Sequence, residues 1–142
     1  MISNKTISDS VDLGKFSQIQ SLSLDKKGET IGLTTVDGRC NISSLTRSSN
    51  GFKSHAIITF KSNKTEEKGS VILYPTNTSS FNPFLDGWFL TGGSDGTMSY
   101  WDYKARNKIK SFGFNAPVCN ASVSSQGNMV AYSLGNDWHI GA

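Results

Sequence analysis

Residues 90–110 read LTGGSDGTMSYWDYKARNKIK, and no other stretch restricts the fold so strongly. Strand-forming residues run into Asp95-Gly96, a second short strand ends at Trp101-Asp102, and a basic third strand follows. Asp-Gly between strand formers is the strongest short-range signal for a tight hairpin. Elsewhere apolar residues come in short bursts, Ser, Thr, Asn and Gly are abundant, and only three prolines occur. No window of a dozen residues keeps helical spacing. A chain that turns this often hides its apolar side chains by stacking sheets, so the class is all-β.

Self-comparison finds the same pattern three times. In the first unit, residues 19–24 and 30–35 flank Asp25-Lys26-Lys27-Gly28, Asp37-Gly38 turns into residues 40–45, and residues 57–61 supply an outer strand. In the second, residues 75–81 and 88–91 precede Asp95-Gly96, residues 98–101 end in Trp-Asp, and residues 108–112 lie outermost. In the third, residues 118–123 and 129–133 are joined through Ser125-Gln126-Gly127, and Gly135-Asn136 turns again. Asp95 to Asn136 spans one period of roughly 40–45 residues, the length of a four-stranded WD-repeat blade. Asp37 to Asp95 is longer, and polar, aperiodic residues 62–69 mark the insertion as a surface loop.

The chain therefore divides into a polar N-terminal segment or remnant of a preceding blade (1–15), a WD blade (16–61), an inserted loop (62–73), a second blade (74–114) and an incomplete last blade (115–142). Three blades do not close a ring, which needs about four to eight. The reading is the C-terminal portion of a larger β-propeller. Residues 1–12 lack the apolar core of a signal peptide, and no apolar run approaches the roughly 18 residues of a membrane helix, which points to cytoplasm or nucleus.

Many WD blades are tied internally by a Trp, a Ser/Thr, a turn Asp and a His. Trp101, Thr91 and Asp95 fill three of these structural places, and the fourth falls near Asn63. Asn can donate and accept, but it lacks the reach of an imidazole, so a weaker tie is expected. Cys40 and Cys119 lie far apart beside strand residues and read as two buried thiols.

Three runs together resemble a known family: Val36-Asp37-Gly38-Arg39; Ile58 to Lys64 with Tyr74-Pro75-Thr76-Asn77-Thr78 and Phe81-Asn82-Pro83; and Thr91 to Gly96 with residues 101–110. The chain is similar to the mRNA export factor family of WD-repeat nucleoporins, and its sister, a mitotic-checkpoint WD-repeat adaptor of kinetochores, shares most of these residues. The ending Asp137-Trp138-His139-Ile140-Gly141-Ala142 resembles the export branch. The resemblance implies about three blades of a seven-bladed propeller at the nuclear pore, in nucleus and cytoplasm. Its partner would be a nucleoporin GLEBS peptide, or a checkpoint-kinase GLEBS segment in the sister, with single-stranded RNA along a basic edge. Two departures stand out: Asn63 for the family's usual His, and Tyr103 where the export branch often carries Lys.

The residues offer such an edge. Lys104, Arg106, Lys108 and Lys110 alternate and, if extended, would project to one side. Arg39, Phe60, Lys61, Lys64, Trp101, Arg106 and Lys108 occupy related places in neighbouring blades and are taken as a nucleic-acid or partner edge. Interleaved cations and rings suit single strands, whose phosphates meet charge while bases stack. The plainer reading of alternate lysines is a solvated edge protected from aggregation, and it is kept for Lys104 and Lys110.

Other classes fit less well. Two histidines, His55 and His139, form no metal spacing, and Gly92-Gly93 lacks the Lys-Ser/Thr of a phosphate loop. No catalytic residue, metal, cofactor, small-molecule substrate or membrane partner is expected. Asn4, Asn41, Asn63, Asn77 and Asn120 begin N-x-S/T triplets, most inside predicted strands, and are read as unused.

Overall fold

A computed structural model describes residues 10–136. The Asn4 triplet, His139 and the 137–142 ending lie outside the described residues. Twelve strands follow in order: β1 Ile19–Leu24, β2 Thr30–Thr35, β3 Arg39–Ser48, β4 Gly51–Lys61, β5 Lys64–Glu67, β6 Ser70–Leu73, β7 Thr76–Phe81, β8 Trp88–Gly93, β9 Thr97–Asp102, β10 Asn107–Gly113, β11 Val118–Val123 and β12 Val130–Leu134. They form antiparallel sheets β1-β2-β3-β4 and β7-β8-β9-β10, with two-stranded pairs β11-β12 and β5-β6. The inserted segment read as a loop is thus a hairpin, Lys64 pairing with Leu73 and Glu67 with Ser70. Its polar residues hid a strand signal because both of its faces meet solvent, which removes the apolar alternation.

The Asp-Gly turns set the repeat. Gly38 and Gly96 both adopt φ of 74°, which costs glycine nothing, and each N–H bonds back to the residue three earlier. Each turn carbonyl then accepts an N–H from the end of the outer strand, Ser62 in one blade and Phe114 in the next. The same bonds recur at the same places, so the two sheets are copies of one blade.

The inner strand β7 lies between β1 and β11. Ser21 and Ser23 hydroxyls meet Ser79 at 3.2 Å on one side. On the other, Thr78 Oγ1 donates to Asn120 Oδ1 and accepts from the Ala121 N–H, both at 3.0 Å. The three inner strands therefore stack as successive slices. Strand alternation then builds two cores. Cys40, Ile42, Phe81, Phe89 and Tyr103, with Ile58 and Phe60, fill the space between the first two blades. Leu90, Met98, Val118 and Ala121, with Tyr100 and Val130, fill the next. Adjacent Phe89 and Leu90 thus serve opposite faces of one strand.

Burial pushes the Cys40 thiol well above its ordinary pKa, as expected of a core cysteine. Cys119 departs from expectation: it is only half-buried, its Sγ resting against the Pro117 and Gly135 carbonyls. Asn41 and Asn63 are 5% and 1% exposed, leaving no room for a glycan at either.

Candidate nucleic-acid and partner edge

The blade tie positions Trp101. Trp101 Nε1 donates to Thr91 Oγ1 at 2.8 Å. Asn63 Nδ2 donates to Asp95 Oδ1 at 2.7 Å and to Thr97 Oγ1 at 3.0 Å, while its Oδ1 accepts from Thr76 Oγ1 at 2.9 Å. The short side chain therefore does reach Asp95, contrary to expectation. It can do so because a methyl group at Gly93 would fall inside 3.0 Å of the carboxamide, so only glycine lets Asn63 lie so close to β8. What the imidazole would have added is missing: among the described residues no hydrogen bond joins Asn63 to Thr91. The tie stands in two pieces.

Register places the rings. Phe89 pairs with Trp101, and Trp101 with Lys108, so all three share the face of the second blade that meets the first. Phe60, on the facing side of β4, brings its ring centroid to 4.6 Å from Trp101 at an interplanar angle of 46°. Lys108 Nζ sits 4.8 Å above the Trp101 ring. Ile58, Phe60, Trp101, Asp102, Tyr103, Arg106 and Asn107 line a small cleft of about 50 Å³. Arg106 closes the β9–β10 turn with φ of 59°, left-handed for a residue with a side chain. The turn is held by the Ala105 N–H donating to Asp102 Oδ1 at 2.8 Å.

The cleft thus gathers Phe60, Trp101 and Arg106, and Lys108 lies over the Trp101 ring beside it. The remaining edge residues stand elsewhere. Arg39 pairs with Lys61 while their neighbours Cys40 and Phe60 pair on the core side, so alternation turns Arg39 and Lys61 to the opposite face. There Arg39 Nε lies 3.0 Å from Asp37. Burial alone would raise the Asp37 carboxyl, but bonds from Thr35 and Ser17 and the Arg39 charge outweigh it and hold the pKa below its ordinary value. Lys64 belongs to the β5–β6 hairpin, 3.4 Å from Glu66.

The alternating row from Lys104 to Lys110 also dissolves. Lys104 and Arg106 lie in a turn, and Lys104 pairs with Asp86. A bulge between Lys108 and Lys110 sets Lys110 opposite Tyr100 instead of continuing on the Trp101 face. Nothing in the sequence marked the bulge, since Ile109 reads like any strand residue. Tyr103 was read as a lost rim charge, yet its ring is 6% exposed and packs edge-on against Phe81 at 5.9 Å. Burial pushes its phenol pKa up. Sequence reading also missed Ile58 and Asp102 as cleft walls, because only the docking of two blades brings them together.

No family model matches the chain. It is 34% identical over 125 residues to Protein Rae1 of Drosophila melanogaster, covering 85% of this chain and 35% of that protein. The mRNA export factor of Xenopus tropicalis is 32% identical, covering 82% and 32%. These relatives support an mRNA export factor family. The Poly(A)+ RNA export protein of Schizosaccharomyces pombe, 28% identical over 87% of this chain and 34% of its own length, agrees. Among solved structures, the β-propeller domain of Myceliophteria thermophila Cps50 (Swd1) superposes with a TM-score of 0.62 at 16% identity, over 87% of this chain and 34% of that one. That likeness bears on the fold: the chain is part of a WD-repeat β-propeller. It spans about a third of the length of the curated relatives it matches.

Proposed function

We propose that this part of an mRNA export factor is a non-enzymatic scaffold of the nuclear pore that holds a nucleoporin GLEBS peptide and presents the Trp101 cleft to single-stranded RNA. The observation that carries the RNA contact is the stack of Phe60, Trp101 and Lys108: two rings in contact with an ammonium over the outer one. Such a stack offers a π-face for a base and a charge for its phosphate, without reading sequence. The relatives' printed names, mRNA export factor and Poly(A)+ RNA export protein, support the same direction.

The test is titration with a labelled oligo-uridine at several salt concentrations. Each neutralised phosphate contributes about 0.7 to the slope of log K against log salt for single strands. Replacing Arg106 by Asn, which tolerates the left-handed turn, together with Lys108→Gln should lower the slope by about 1.4. Arg39→Gln, on the opposite face, should leave it unchanged. A slope indifferent to the first pair rejects the cleft.

A separate pull-down uses GLEBS peptides from a nucleoporin and from a checkpoint kinase. Capture by the nucleoporin peptide with little by the kinase peptide is expected of the export branch. The reverse preference would assign the chain to the kinetochore adaptors.

A further inference from the structure

A pocket of about 490 Å³ opens between the first two blades, at the end of the sheets opposite their Asp-Gly turns. The β1–β2 turn, the β7–β8 loop and the β9–β10 turn enclose it, and Phe81, Trp88 and Tyr103 supply ring walls. That volume falls within the roughly 300–1,000 Å³ of ligand pockets, whereas the neighbouring Trp101 cleft holds about 50 Å³.

Two features go beyond what blade packing requires. A bulge leaves Ile57 unpaired, between Ile58↔Ile42 and Ala56↔Ser43, and this extra residue joins the pocket wall. The β7–β8 loop holds Phe84 and Leu85 in solvent, 62% and 44% exposed, although the loop itself is fastened. Asn82 Oδ1 accepts the Phe84 and Leu85 N–H groups at 2.9 and 3.0 Å, and Asn82 Nδ2 donates to the Gly127 carbonyl at 3.0 Å. The Leu85 carbonyl in turn accepts the Trp88 N–H at 3.1 Å. Fixed backbone thus displays two large apolar side chains beside a ring-lined hollow, which marks a contact surface.

Charge and hydrogen bonding select the occupant. Lys26, Lys27 and Lys104 line the pocket against Asp25, Glu29 and Asp86, so the lining carries no net charge. Lys104 is paired with Asp86, and Lys26 Nζ lies 4.5 Å from the centroid of the Phe84 ring. Asp25 Oδ1 is taken up by the Glu29 and Thr30 N–H groups at 2.8 and 3.0 Å, as Asn82 is by the bonds just named. A polyanion finds no excess of cations here. A nucleobase brings N–H and C=O groups to partners that are already engaged. A benzyl ring brings none, and it gains edge and face contacts with the ring walls.

We propose that this pocket docks an uncharged segment of a partner protein through one phenylalanine side chain. Phe81, Trp88 and Tyr103 receive the ring, and Phe84 covers it from the lip. The site is independent of the RNA reading of the Trp101 cleft, with which its lining shares only Tyr103.

The probe is the capped peptide acetyl-Gly-Ser-Phe-Ser-Gly-amide, added to the isotope-labelled chain while the Trp88 indole N–H resonance is followed. Its absence from the Trp88→Phe variant identifies that signal. The peptide should shift it with a dissociation constant of about 1 mM, scarcely altered by salt. Exchanging the peptide's Phe for Ala should weaken binding about tenfold or more. Phe84→Ala, at a position too exposed to matter for folding, should weaken it about fivefold. Phe112→Ala, the same change on a ring outside the pocket, should have no effect. An unaltered urea midpoint checks that each variant is folded.

No shift at about 10 mM peptide, or a shift that Phe84→Ala leaves unchanged, overturns the proposal. So does a peptide with Asp flanks that binds about tenfold more tightly than the neutral one, since the partner is then acidic. An oligo-uridine that moves the same signal, with a salt dependence lost in Lys26→Gln with Lys27→Gln, assigns the pocket to RNA instead. A Trp88 shift that grows with protein concentration alone assigns it to a second copy of this chain.

Discussion

Phe89→Ala should destabilise the protein by about 3–5 kcal/mol, the range for an aromatic core truncation that leaves a cavity. The ring is 0% exposed and holds the interface between the first two blades. It meets Phe81 edge-on at 4.7 Å, and it lies against β2 so tightly that a methyl group at Gly32 would fall 2.5 Å from its edge. Backbone on one side and rings on the other leave little scope for collapse, which places the cost toward the upper end. Urea unfolding followed by far-ultraviolet circular dichroism measures it. Phe112→Ala, on a ring 37% exposed on the outer strand, is the control and should cost under about 1 kcal/mol. Equal losses at both positions would mean that the blades do not pack through Phe89.

The second large effect is expected from Gly93→Ala. The added methyl group cannot coexist with the Asn63 carboxamide, so Asn63 must leave Asp95, Thr97 and Thr76 together. Asn63 is 1% exposed, and its partners would lose bonds in a place that water reaches poorly. At about 1 kcal/mol net for each hydrogen bond, and more for a charged partner, the loss should be about 3 kcal/mol. Asn63→Ala removes the same bonds without the clash and should cost nearly as much. The double variant decides the cause: if Gly93→Ala acts by expelling Asn63, adding it to Asn63→Ala should cost almost nothing further. Additive losses in the same urea titration would show instead that β8 itself is strained by the methyl group.

How far the sequence reaches can be judged from these residues. Asp37-Gly38 and Asp95-Gly96 announce their turns because the left-handed backbone they need is a local property that glycine alone meets cheaply. Trp101 with Thr91 is legible for a similar reason, since both side chains sit on adjacent strands of one hairpin. Asn63 was legible as a place but not as a geometry, because its reach to Asp95 depends on a glycine thirty positions away. The hairpin of residues 64–73 was missed: strands wet on both faces keep no apolar period for the eye to follow.

The edge shows the same division more sharply. The cations could be counted from the sequence, but the face each one occupies could not. One bulged residue sends Lys110 away from Lys108, and one step of strand alternation parts Arg39 and Lys61 from Phe60. Short-range chemistry thus determined an all-β chain of repeated hairpins, the identity of its turns and the pairing of Trp101 with Thr91. Tertiary structure alone decided that Phe60 of one blade meets Trp101 of the next, that Tyr103 is core and not rim, and which charges share a surface. The physical reason is that turn preference is written in the few residues of the turn, whereas the facing of a side chain depends on register accumulated along a strand and on a neighbouring sheet that the local sequence does not contain.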